Sequence, residues 1–316
     1  MSCCTQYRAH ADVGRGALDV EVMGTWDFKW PAGRKIRVAF QRPRAPYVSG
    51  TEFDRVRATI AELAETWTKG GANLAFDWVD YVFSPPADGH RQNRSGFGAV
   101  NAKDAEYRDY DVLVSIEDLP LVHNDPIVAD RVLDRIFLPK SELGSYARRA
   151  DYGVATLFIG RLPALSQRSL REYYEHDRLA RFYVVHEFGH VLGLAHEHQN
   201  PRRRAKNDAL AQLPRQTADV TQRVSRWLGT VTNGFEPSVL GDFVRRNITE
   251  PWPGNPEFSD WREDDEDSVL FVPYQHCLIA DTGMPDPREC EHCHAKLFDH
   301  PSPKDLEHLR AMYPPA

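Results

Sequence analysis

The sequence predicts an α/β chain with some α+β segregation: a mixed, mostly parallel twisted sheet, a helix carrying a histidine-rich motif, and a C-terminal part that is mostly helical or irregular. Three observations predict it. Short stretches alternate apolar and other residues with period 2, a longer stretch between two of them keeps apolar residues at helical spacing, and one apolar run is too uniform for a strand with a wet face. Strand, helix, strand, strand, strand in that order implies a sheet backed by helices.

From Arg34 to Gln41, Ile36, Val38 and Phe40 alternate with other residues and read as a half-buried strand. Ser49 with Glu52 makes a capping box, after which Phe53, Val56, Ile60, Leu63 and Trp67 hold one helical face until Gly70 and Gly71 stop them. Leu74, Phe76 and Trp78 alternate as a second strand, and Val112, Val114 and Ile116 as a third. Residues 154–159 form the continuous apolar run, a strand buried on both faces or covered on its outer side. One long helix is expected next, opened by Ser169 with Glu172 and running through Tyr183, Val184, Phe188, Val191 and Leu192 to Gly193. A closing helix is expected over 303–313, with Leu306, Leu309 and Met312 on one face.

Residues 1–23 show no periodicity and read as an extension before a single domain over 24–316, divided into subdomains 24–193 and 194–316. Residues 200–262 are polar, with scattered proline and glycine and one amphipathic piece over 220–228, and read as an insertion wrapped on the core. At 316 residues with 41% hydrophobic content, the chain can bury a substantial core without disulfide staples. A formal net charge of -7 argues against nucleic acid or anionic lipid as a partner, and the run Arg202, Arg203, Arg204 reads as a solvated loop. No stretch approaches the roughly 18 apolar residues of a membrane span, and the N-terminus shows no apolar signal region. Compartment stays open: inside the cell, exported by a route the sequence does not announce, or a chain whose leader was removed. A monomer is assumed.

His186, Glu187, Phe188, Gly189, His190, Val191, Leu192, Gly193, Leu194, Ala195 and His196 are the informative stretch. Residues four apart on a helix share a face, so His186 and His190 can present two imidazoles to one ion, with Glu187 beside them. A catalytic zinc site needs a third protein ligand and keeps a position for water, and His196 is the candidate. To bring His196 back the helix must stop and the chain turn, and Gly193 is the residue type that adopts positive φ without a Cβ penalty. An ion so held would acidify a water and polarise a carbonyl while Glu187 moves the proton. The rival reading, two core histidines on an apolar helix, leaves the glycine and the third histidine unexplained.

At these residues the chain resembles the metzincin zinc peptidases, whose signature is H-E-x-x-H-x-x-G-x-x-H. Glu197, within His196, Glu197, His198, Gln199, Asn200 and Pro201, looks like the astacin branch and its microbial relatives. The resemblance covers about 24–316 and implies a metzincin-like fold, one catalytic zinc, and endopeptidase activity on proteins or peptides. It also implies a methionine-containing turn beneath the metal, with a tyrosine two residues on that reaches the metal or the oxyanion. Here Leu270 stands at the methionine position and Val272 at the tyrosine position, with Tyr274, Tyr146 or Tyr152 as substitutes. In that branch Glu197 pairs with a processed amino terminus; a plain surface carboxylate is the alternative. The apolar run 154–159 corresponds to a strand that pairs with extended substrate, with a plain core strand as its rival. A catalytically weak zinc protein that captures polypeptides in its cleft is the alternative function, motivated by Leu270 and Val272.

Cys277, Cys290 and Cys293 gather near His276, His292, His294 and His300, and Cys290 with Cys293 has zinc-knuckle spacing. A second, structural zinc is one reading; a disulfide with a spare thiol, or reduced loop cysteines, is the other.

Overall fold

The computed structural model describes residues 29–41, 50–83, 110–116, 140–141, 156–160, 169–197, 217–228, 241, 244–245, 249, 265, 267–270, 295 and 297–316. Among them are five strands and five helices. β1 (Arg34–Gln41), α1 (Gly50–Thr68), β2 (Leu74–Phe83), β3 (Val112–Ser115), β4 (Lys140–Ser141) and β5 (Leu157–Phe158) come first. α2 (Leu170–His176), α3 (Arg178–Val191), α4 (Thr217–Leu228) and α5 (Pro303–Met312) follow. The extension 1–23, the cap residue Ser49, Tyr146, Tyr152, Val272, Tyr274, Cys277, Cys290 and Cys293 lie outside the described residues, as does most of 200–262.

The sheet runs β2-β1-β3-β5-β4, with β1 parallel to β2 and β3, β3 parallel to β5, and β4 antiparallel to β5. This is the mixed, mostly parallel sheet expected. The alternation in β1 orders it: Ile36, Val38 and Phe40 bury against the helices, while Ala39 joins Val79, Tyr110 and Leu113 in a separate cluster. Between Val38 and Phe40 the pairing jumps from Trp78 to Val82, so β2 is bulged there.

Two expectations need correction. The run 154–159 contributes to the ladder at Leu157 and Phe158, and that strand is flanked by β3 and β4. Its backbone is therefore already paired on both sides at those residues, which favours the core-strand reading; β4, which carries no apolar alternation to announce it, is the edge. The single long helix is in fact two. The Ser169 and Glu172 capping box is present, but the Asp177 side chain accepts hydrogen bonds from Leu179 N at 2.9 Å and Ala180 N at 3.3 Å and starts a new helix. An aspartate inside an apolar-periodic stretch was the signal for that break.

α3 is buried along nearly its whole length, from Ala180 to Val191. Phe188 packs edge-on against Phe76 with ring centres 5.3 Å apart and lies 5.8 Å from Trp78, fixing the helix to β2. From α1, the Trp67 indole donates to Val185 O at 2.8 Å. Val220 of α4, Val244 and Leu309 of α5 bury in the same core cluster. Among the described residues no helix is long and apolar enough to cross a membrane.

Gly189 sits at a tight contact. A Cβ placed there would meet Leu270 Cδ2 at 2.7 Å and Trp67 Cζ2 at 2.7 Å, so two separate elements pack onto the helix where the side chain would be. Replacing Gly189 with alanine is expected to destabilise the fold by about 1–3 kcal/mol through overpacking, read as a lowered urea midpoint at constant slope. An unchanged midpoint would show that the helix has room.

Candidate metal centre

The centre is made by the way α3 ends. Gly193 N donates to His190 O at 2.9 Å and Leu194 N to Gly189 O at 3.1 Å, the paired bonds of a Schellman motif, with Gly193 at φ 93°. The chain therefore reverses within a few residues, and His196 returns to the face that holds His186 and His190. Two further carbonyls at this end are satisfied from distant parts of the chain. The Trp30 indole donates to Val191 O at 2.7 Å, and the Tyr313 hydroxyl donates to Leu192 O at 2.8 Å while accepting from Trp30 N at 3.1 Å. Burial pushes the Tyr313 hydroxyl well above its ordinary pKa, so it stays a neutral donor.

The three imidazoles meet through Nε2. His186 and His190 are 3.0 Å apart there, and His196 is 3.2 Å from each. Three nitrogens at about 2.0–2.1 Å from one tetrahedral ion are roughly 3.3 Å apart, so the observed triangle fits a single metal. The tautomers agree. His186 Nδ1 donates to Val269 O at 2.7 Å and His190 Nδ1 to Leu194 O at 2.7 Å, and since a carbonyl only accepts, both Nδ1 atoms carry the proton. In the neutral rings each Nε2 then presents a lone pair, and two lone pairs converging at this distance repel unless a cation lies between them. His186, His190 and His196 are a buried group able to hold a metal ion.

Glu187 follows His186 on the same turn and is fully buried. Glu197 is only 2% exposed, which corrects the surface-carboxylate reading, and its N–H donates to Leu270 O at 3.2 Å. Leu270, at the position the resemblance assigns to methionine, is buried against Gly189 as part of the turn 267–270 beneath the histidines.

The residue that sequence reasoning missed is Asp305, in the first turn of α5. Its Oδ1 accepts from Ser268 Oγ at 2.6 Å, and its Oδ2 from Val269 N and Ser302 N at 3.0 Å each. The spacing of Ser302 and Asp305 signals a capping box, and that box is present, but nothing local indicates the reach to Ser268 and Val269.

Burial lowers His190 from 6.5 to about 4, opposed by its bond to Leu194 O, so the imidazole is a neutral ligand at pH 7. In metal-free protein the unfolded chain takes up this proton through pH 6.5 and the folded chain only near 4. The fold therefore loses roughly 3 kcal/mol as pH falls across that window. Burial raises Asp305 from 3.8 to about 6 against its hydrogen bonds, so the folded chain binds this proton first and gains stability as pH falls from about 6 to about 4. The two offset each other. Replacing Asp305 with asparagine removes the second, so relative to wild type the metal-free variant is expected to worsen by about 2 kcal/mol between pH 7 and 4.5 in urea titrations. A difference constant across that range would contradict this balance.

No family model and no curated protein matches the sequence. Among solved structures, two of myroilysin are similar to the chain. One has a TM-score of 0.49 at 15% identity over 92% of this chain and 98% of that one. The other has a TM-score of 0.47 at 16% identity over 98% of this chain and 99% of that one.

Proposed function

We propose that the chain is a zinc-dependent endopeptidase of the metzincin kind, astacin-like in branch, with His186, His190 and His196 as zinc ligands and Glu187 as general base. The observation that carries the reading is the buried triangle of Nε2 atoms, 3.0 to 3.2 Å on a side, with a carboxylate one residue from the first ligand. A donor set of three imidazoles suits zinc with one position left open, the arrangement of hydrolytic rather than structural zinc.

Zinc at this site supplies Lewis acidity, which acidifies water and polarises a carbonyl. The chain supplies the rest. His186 and His190 are held in the metal-binding tautomer by Val269 O and Leu194 O, so no reorientation is needed when the metal binds. Glu187 accepts the proton of the attacking water and returns it to the leaving amine, a role that burial assists by keeping competing water away from its carboxylate. Leu270 fills the floor of the site with apolar volume close to that of methionine. The substrate class is an extended protein or peptide chain.

Glu187→Gln is expected to keep one equivalent of zinc by elemental analysis and to lose about 10²–10⁴-fold in cleavage of denatured casein. His196→Ala is expected to lose the metal. A strong chelator should abolish wild-type cleavage and added zinc restore it. Stoichiometric zinc without cleavage of any of a broad peptide library would overturn the peptidase reading in favour of a polypeptide-binding zinc protein.

A further inference from the structure

We infer that Asp305 is a positioning residue for the metal centre, acting through the turn 267–270 on His186 directly and on the chain at His196 indirectly; this rests on the metal-site reading above. A helix cap at Ser302 needs one bond from the Asp305 carboxylate to Ser302 N. The other two bonds leave the helix altogether and go to Ser268 Oγ and Val269 N. Ser268 Oγ in turn accepts from Leu270 N at 3.0 Å, so Ser268, Val269 and Leu270 are all tied to one buried carboxylate on a helix that contributes no ligand.

The turn touches both arms of the site. Val269 donates to Asp305 through its N–H and accepts from His186 Nδ1 through its carbonyl. Leu270 O accepts from Glu197 N, the residue after His196. The Val269 carbonyl shares its peptide group with Leu270 N–H, which donates to Ser268 Oγ, which in turn donates to the anionic Asp305 carboxylate; this chain of bonds polarises that peptide, strengthens the carbonyl as acceptor, and so makes His186 Nε2 a better donor to the metal. Asparagine at 305 can keep its oxygen on the Val269 and Ser302 donors but brings no charge, whereas alanine leaves all three donors without this partner.

The test compares metal affinity, by competition with a chromophoric zinc chelator, and the visible spectrum of the cobalt(II)-substituted full chain at pH 7.5. Asp305→Ala is expected to weaken zinc binding by about 10–100-fold and to shift the cobalt bands, with Asp305→Asn recovering part of the loss. Ser268→Ala, which removes only the hydroxyl link, is expected to weaken binding several-fold and carries the test if the alanine variant at 305 does not fold. Ile60→Ala, in α1 and fully buried, serves as a destabilised control that leaves affinity and spectrum unchanged. Wild-type affinity and spectrum in the Asp305 or Ser268 variants, or an equal loss in the Ile60 control, would overturn the positioning role while leaving the metal site intact. Failure of the wild-type chain to bind zinc or cobalt would overturn the site reading first and this inference with it.

Discussion

Three imidazole nitrogens lie within 3.2 Å of one another in this buried site because the chain that carries two of them turns back on itself at once. His186 and His190 are one helical turn apart, so the helix presents both without further help. The third must come from beyond the helix end, and the Schellman bonds around Gly193 provide the reversal in the fewest residues. A side chain at that position would meet the steric cost of positive φ. The remaining architecture serves to hold this reversal and the helix before it in place.

That holding is done by parts of the chain far apart in sequence. Trp30, ahead of β1, and Tyr313, after α5, donate to successive carbonyls at the end of α3 and bond to each other. Trp67 of α1 and Leu270 of the turn pack together against Gly189, and Phe188 locks into the aromatic residues of β2. α3 is thus fixed at its end and through its middle. A metal site gains from such rigidity because ligands already in place lose little freedom when the ion binds.

Electrostatics follows from the same burial. Desolvation keeps His190 neutral down to about pH 4 and holds Asp305 protonated up to about pH 6. A ligand must be neutral to bind, so the first shift favours the site; the second comes from burying a carboxylate, which its three donors only partly offset. The shifts of His190 and Asp305 oppose one another in their effect on the fold.

Much of this was legible in the sequence. Period-2 alternation located β1, β2 and β3, the last of them buried on both faces, and helical spacing located α1 and α5, because the side on which a residue projects is set by the strand or helix itself. The spacing of His186, His190, Gly193 and His196 specified a group able to hold a metal ion for the same reason, being a property of one helix and one turn. What escaped was decided by contacts across long sequence distances. β4 has too few residues for any pattern, and Asp177 divides the long helix with a cap that overrides the apolar periodicity around it. Asp305 looks like an ordinary capping residue until the fold brings Ser268 and Val269 against it. The sequence by itself determined which residues can bind a metal, since ligand type and spacing are local. Only the tertiary structure decided the tautomer of His186 and the burial and support of all three residues, since these depend on carbonyls and side chains tens to hundreds of residues away, whereas the Leu194 carbonyl that sets His190 is local.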